Sequence, residues 1–180
     1  MALRDVLRGR EGELAERWLA AILASYPADA ADFLRRERDE FANPVGQTLA
    51  RETRAILRAL LGDGTGPGGA HAGAELRARL EPIVKIRSIQ GLGAAQAVSL
   101  FYQLKTAVRG VLDPELGDAR MLHELLELEL EIDTLALWAF DIFMGCRDRL
   151  CEIRVNELKR SVHALLRRAS GDADDSVSLP

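Results

Sequence analysis

From Asp118 to Ala169 the chain runs for 52 residues without a proline, and Gly145 is the only glycine among them. Acids come first, at Glu124, Glu127, Glu129, Glu131 and Asp133, and bases come last, at Arg147, Arg149, Arg154, Lys159, Arg160, Arg167 and Arg168. That order suits one long helix, whose dipole favours anions at its start and cations at its end. The second half carries a seam at Cys151, Val155, Leu158, Val162, Leu165 and Ala169, spaced 4-3-4-3-4. This spacing marks a helix that packs along its length against another helix, from the same chain or from a second copy. Such a helix transmits a state or holds a dimer rather than performing chemistry.

The remaining sequence also reads as helices. A stripe of Leu3, Val6, Leu7, Leu14, Trp18, Leu19, Ile22 and Leu23 has helical period, with an interruption expected near Gly9 and Gly12. A short helix is predicted from about Asp29 to Arg38. Asn43 then caps the next helix, with Pro44 at the first position, where no amide donor is needed, and that helix stops at Gly62. Gly62 to Gly73 holds six glycines and a proline in twelve residues, the pattern of a flexible loop. Helical pattern resumes at Ala74, with a kink or a fresh start expected at Pro82. Gly91-Leu92-Gly93 breaks the chain, a helix is expected over Ala94 to Leu112, and Asp113-Pro114 ends it. Ile83 to Ile89 is the one candidate strand, and its spacing fits a helix equally well. A length of 180 residues with 48% apolar and only 5% aromatic content suits a single all-α helical-bundle domain. The expected boundaries are residues 1–169 for the domain, ending in a long carboxy-terminal helix, and 170–180 for a disordered tail.

Several function classes are disfavoured. A net charge of −4 gives no general affinity for nucleic acid. Arginine outnumbers lysine 21 to 3, but the arginines are scattered among acids, which reads as coding bias. Met1 to Arg10 has no apolar stretch suited to a signal peptide. The most apolar run, Thr134 to Met144, is too short to span a bilayer and contains Asp141, so no membrane insertion is expected. Cys146 and Cys151 fit a reducing compartment, and five residues apart on a helix they point to different faces. A cytoplasmic location is expected.

The sequence offers little to an enzyme. Gly91-Leu92-Gly93 follows a β-branched run, but the third glycine of a dinucleotide fingerprint is missing. The Gly62 loop lacks the Gly-Lys-Ser/Thr ending of a phosphate loop. Glu124, Glu127 and Glu131 share a helix face without the Glu-x-x-His pairs of a di-iron bundle. The histidines are His71, His123 and His163. A haem-binding bundle would use His123, near Met121, Leu122 and Leu125, as its axial ligand. Asp141 stands out because its neighbours from Leu135 to Met144 are nearly all apolar. A buried carboxylate needs a partner, and Arg87 and Lys105 are the candidates. A buried latch or ligand contact competes with the more ordinary reading, an acid at the helix surface or in a structural ion pair.

Four blocks carry a family resemblance: Trp18 to Pro27; Phe41-Ala42-Asn43-Pro44-Val45-Gly46; Ile83 to Lys105; and Ala139 to Arg147 together with Glu157 to Arg160. Together they resemble the amino-terminal domain of RsbRD, the RsbT co-antagonist family, over nearly the whole chain to about Ala169. The resemblance implies an all-helical sensory or regulatory domain, haem-free, globin-like and dimeric, that works with an output module such as a phosphorylatable STAS domain or a kinase. Where that family often reads Thr-Pro-Ser, this chain has Gly93-Ala94-Ala95. Because the sequence ends at Pro180, the output module is expected on a separate protein.

The resulting expectation is a non-enzymatic sensor or regulatory domain of stress signalling, without a cofactor or metal. A regulatory pocket is expected around Arg87, Lys105, Trp138 and Asp141. Homodimerisation and relay are expected along Cys151, Val155, Leu158, Val162 and Leu165. The alternatives are a haem sensor ligated by His123 and an adaptor that docks on a metabolic or membrane complex.

Overall fold

The computed structural model describes residues 2–62, 67, 70–112 and 119–175, with side chains described for all of these except 70–72 and 168–175. Among the described residues there are seven helices and no strand: α1 (Leu3–Gly9), α2 (Glu11–Leu23), α3 (Ala28–Arg36), α4 (Pro44–Leu61), α5 (Ala70–Ile89), α6 (Ala94–Leu112) and α7 (Ala119–Asp175). The all-α expectation holds. The chain divides into two compact units, Met1–Phe143 and Met144–Pro180, and the division falls beside Gly145.

In the first unit α2 packs on α4 and α6, α4 on α5, and α5 on α6, while α1 and α3 both lie against α2 and α4. Leu125, Leu128, Ile132, Leu135, Ala139 and Phe143 of α7 are buried in the same core. Their 3-4-3-4-4 spacing places them on one helical face. Trp18 is fully buried, and its Nε1 donates to the Leu100 carbonyl at 2.7 Å. Its ring lies 6.3 Å from that of Phe101, in a tilted arrangement.

Local chemistry sets the helix ends. The α1–α2 break falls at Arg10, and Gly12 lies inside α2. Asn43 accepts from the Gly46 amide at 2.9 Å, with Pro44 at the first position of α4, as the sequence foretold. The α5 helix begins at Ala70, four residues earlier than expected. Of the kink or fresh start expected at Pro82, the fresh start is absent, since the helix continues through it. Proline has no amide to offer the Ala78 carbonyl, so one intrahelical bond is missing there. The run from Ile83 to Ile89 is helical, which settles the strand alternative. Gly91, at φ 74°, takes the left-handed position that stops a helix. Half of the glycine-rich loop (63–66, 68 and 69), Asp113–Pro114, and the tail beyond residue 175 lie outside the described residues. The α7 backbone stays helical through residues 170–175, where the tail was expected to begin. No helix among the described residues is long and apolar enough to cross a membrane.

Arginines close several helix ends. Arg4 and Arg8 of α1 donate to the last carbonyls of α4, Arg4 to Leu60 and Arg8 to Leu61 (2.6 Å) and Gly62 (3.0 Å). Arg10 donates to the Val111 carbonyl at the end of α6 at 2.5 Å. These carbonyls have no intrahelical partner, and a cation there also meets the negative end of the dipole.

Candidate regulatory surface

The four residues expected to form one pocket lie in three places. Arg87, on α5, is 1% exposed. Its Nη1 donates to Ser25 Oγ at 2.9 Å and its Nη2 to the Gln96 carbonyl at 3.1 Å, while the guanidinium lies 5.6 Å over the Tyr26 ring. Tyr26 in turn donates to Gln90 Oε1 at 3.0 Å. The Arg87 charge therefore sits by the carboxy ends of α2 and α5, where helix dipoles favour a cation, and it ties both to the first turn of α6. Its Nε is buried without a partner.

Lys105, on α6, pairs with Asp133 of α7 at 2.6 Å and lies 5.8 Å over the Tyr102 ring. Nearby, Arg109 holds Glu129 with two bonds of 2.6 and 2.8 Å. The hydrogen bond to Glu129 raises the Arg109 pKa above its ordinary value, and the Coulombic attraction adds to it. These two pairs tie α6 to α7.

Trp138 and Asp141 do share a site, and Arg77 of α5 makes it. The Arg77 guanidinium lies 5.0 Å over the Trp138 ring, and its Nη2 is 3.6 Å from Asp141 Oδ2. Asp141 is 69% exposed in its side chain, so it is the surface acid in an ion pair and not a buried carboxylate, and its partner is Arg77 rather than Arg87 or Lys105. Its apolar neighbours Leu137 and Phe140 are themselves exposed, so the run is not buried on every face. Gly73 gives Trp138 room to lie against α5: a Cβ there would stand 3.3 Å from Trp138 Cη2 and 3.1 Å from the Pro67 carbonyl. Nothing in the sequence pattern pointed to Arg77, which is one arginine among many on a helical stretch.

A second feature went unrecognised in the sequence. A groove of about 480 Å³ runs between α6 and α7, lined by Ala94, Ala95, Val98, Ala136, Tyr102, Leu137 and Phe140, with the polar Ser99 and Asp133 among them. Along α7 the exposed residues Leu122, Leu126, Leu130, Leu137 and Phe140 continue its apolar surface. The usable signal was that this part of α7 carries two apolar stripes at helical spacing. One faces the core, and the other needs a second partner or remains exposed.

His123 is 74% exposed in its side chain and lies 3.3 Å from Glu127, not in the apolar pocket that the haem reading required. The side chain of His71 lies outside the described residues, and His163 is exposed. Among the described residues no three His, Cys, Asp or Glu side chains group as a metal site. In the second unit Cys151, Val155, Leu158, Val162 and Leu165 are all exposed.

At the other end of the first unit, Glu124 of α7 accepts from the Leu3 amide at 2.6 Å. That bond, with Arg120 adding to it, holds the Glu124 carboxyl below its ordinary pKa.

The family model for the RsbT co-antagonist protein rsbRD N-terminal domain matches residues 12–158, which is most of the chain. The chain belongs to that family. No curated protein and no solved structure gives a significant match. The blocks that carry the RsbRD resemblance have clear structural uses. Asn43 Nδ2 donates to the Leu34 carbonyl at 2.9 Å and the Glu37 carbonyl at 2.8 Å while its Oδ1 caps α4. Gly46 is required beside it, because a Cβ there would collide with the Asn43 amide and stand 2.5 Å from the Leu34 carbonyl. The Asn-Pro-Val-Gly block of this RsbRD domain is thus a helix corner. The block around Phe140 and Asp141 instead lies on the exposed α6–α7 and α5–α7 surfaces.

Proposed function

We propose that this chain is a non-catalytic regulatory input domain of stress signalling, a haem-free globin-like bundle acting as a cytoplasmic homodimer. On this reading it changes state through helix packing and passes that state to a separate output protein of the STAS or kinase type. Family membership supports the signalling role. The observation that carries the dimer is the exposed apolar face of α6 and α7, where Tyr102, Leu137 and Phe140 are exposed beside the small side chains of Ala94, Ala95 and Ala136. Large and small side chains on one surface let two copies of it pack together about a two-fold axis. The Arg77–Trp138–Asp141 contact and the Lys105–Asp133 pair flank this face. They are the polar contacts whose rearrangement would alter its shape.

Sedimentation at micromolar concentration tests the reading. The expected result is a dimer for the wild type and a monomer of unchanged helicity for Leu137→Asp. A strictly monomeric wild type removes the dimer and its relay together. Co-purification of the dimer with a STAS-domain or kinase partner encoded beside it, weakened by Leu137→Asp, is the expected mark of the output step.

A further inference from the structure

We propose that Ser25 is a phosphorylation site and that the buried guanidinium of Arg87 is the cradle for its phosphate. The site lies at the corner between α2 and α3, and it stands whether or not the homodimer reading does.

Arg87 is a buried charge with no counter-charge. It is 1% exposed, and among the described residues no carboxylate pairs with it. Burying a cation is costly unless it is paired. Arg4 has Glu131 and Arg109 has Glu129, but every partner of Arg87 is neutral. Nη1 has the Ser25 hydroxyl, Nη2 has the Gln96 carbonyl, the guanidinium face has the Tyr26 ring, and Nε has nothing. The helix ends nearby supply partial charges only.

Ser25 brings that charge within reach of the surface. It is an exposed residue in the turn after α2, and its Oγ lies 2.9 Å from Nη1. The hydroxyl donates to the Ile22 carbonyl at 2.6 Å. That carbonyl also accepts from the Ser25 amide at 3.1 Å, so it keeps a partner when the hydroxyl proton is replaced. The hydroxyls of Ser88, Ser99 and Ser161 instead meet a carbonyl of their own helix, and among the described residues no cation joins them. In the transfer, Oγ attacks the γ-phosphorus of a nucleoside triphosphate held by a separate serine kinase. The Oγ–P bond forms and the bond from that phosphorus to the bridging oxygen breaks. The diphosphate leaves with the electron pair, and the Oγ proton passes to the kinase's base. Phosphoserine carries roughly two negative charges and three acceptor oxygens. They form beside Nη1 and Nη2, the outer pair of the guanidinium, which suits a two-point contact with phosphate. The dipole of α2 opposes a phosphate just past its last turn. Solvent and salt screen that effect at an exposed helix end, and they screen a pair with a buried guanidinium far less.

The full chain is made with phosphoserine incorporated at position 25, and its phosphorus resonance is followed against pH, first folded and then unfolded in urea. The second ionisation of the phosphate is expected about one pH unit lower in the folded chain than in the unfolded one, where it lies at about 6. The same titration in the chain carrying Arg87→Gln, checked for wild-type helicity, is expected to return the ordinary value. With isotope-labelled arginine, one side-chain signal protected from exchange is expected to move at the same midpoint, a readout that stands even where Arg87→Gln fails to fold. A phosphate that titrates alike in both states, the absence of an arginine signal that follows it, or a shift that survives in folded Arg87→Gln overturns the cradle. Phosphopeptide mapping of the chain isolated from its host, in growth and under stress, is expected to find phosphate on Ser25. Ser25 unmodified in every condition overturns the site.

Discussion

Replacing Asn43 by alanine removes three hydrogen bonds from one buried corner. Oδ1 caps α4 through the Gly46 amide at 2.9 Å, and Nδ2 holds the carbonyls of Leu34 and Glu37 at 2.9 and 2.8 Å. Loss of an N-cap costs about 1 kcal/mol. Each of the two carbonyls left without its donor adds about 1 kcal/mol, for a total of about 3 kcal/mol. With a urea dependence of about 2 kcal/mol per molar, the unfolding midpoint should fall by about 1.5 M, followed by circular dichroism at 222 nm. Asn43→Asp separates the two jobs of the side chain. Aspartate caps helices as well as asparagine does, so a residue that only capped α4 would tolerate the change. Here the aspartate loses both Nδ2 bonds and sets a carboxylate against two carbonyl oxygens. Its midpoint should therefore fall at least as far as that of the alanine variant. A midpoint within about 0.3 M of wild type for Asn43→Asp, a difference of about 0.6 kcal/mol, would refute the claim that this residue ties α3 to α4.

Gly46→Ala should lower the urea midpoint, even though alanine gains about 1 kcal/mol over glycine inside a helix, because the new Cβ meets the Asn43 amide and the Leu34 carbonyl. A raised midpoint would show that the corner has room to spare. Glu124 has a folded pKa held below its ordinary value of 4.5, first by the Leu3 amide and then by Arg120. The sign follows: its contribution is full above the ordinary value and is lost as pH falls through the lower, folded value. Amide protection in α1, measured against the intrinsic exchange rate at each pH, should therefore fall on acidification below about 4.5 in the wild type and less steeply in Glu124→Gln, and identical profiles would show that Glu124 does not hold α1. Arg4→Lys should cost about 1 to 2 kcal/mol by urea melting, because one ammonium cannot keep both the Leu60 carbonyl and Glu131 in the geometry of a guanidinium fork. A wild-type midpoint for this variant would assign Arg4 to the surface.

Local signals in the sequence were enough for the helices and not for the surfaces. Asn43-Pro44 and Gly62 bracket α4 through cap chemistry that acts within a few residues, so the sequence carries it openly. Of the two outcomes expected at Pro82, the fresh start does not occur, because tertiary packing outweighs the loss of one backbone bond: Leu80, Ile83 and Val84 on either side are buried. The sequence leaves the burial of Asp141 open for a different reason. Apolar neighbours in the chain predict burial only when they face the core, and Leu137 and Phe140 face away from it. Its partner Arg77 lies on another helix, and sequence spacing does not encode which of 21 arginines will arrive there. Gly145, the single glycine of the long run, did mark the place where the first unit gives way to the second.

The surplus of arginine over lysine reads differently once helix ends are counted as chemical groups. The last four carbonyls of an α-helix have no partner within it. In a bundle with short corners, those carbonyls face neighbouring helices as well as water. Arg8 serves two of them at once, Leu61 and Gly62, through Nε and Nη2. Arg87 reaches Ser25 and Gln96 from inside the core, and Arg4 joins a carbonyl of α4 to a carboxylate of α7. Each task needs two donors in a fixed plane, which guanidinium has and ammonium does not. Coding bias can supply arginines, but it does not place them at the carboxy ends of α2, α4, α5 and α6. The same residues make α1 more than a terminal helix, since Arg4, Arg8 and Arg10 close the ends of two others. Anything that displaces α1 would uncover the last turns of α4 and α6 together, and α6 is one wall of the proposed dimer face.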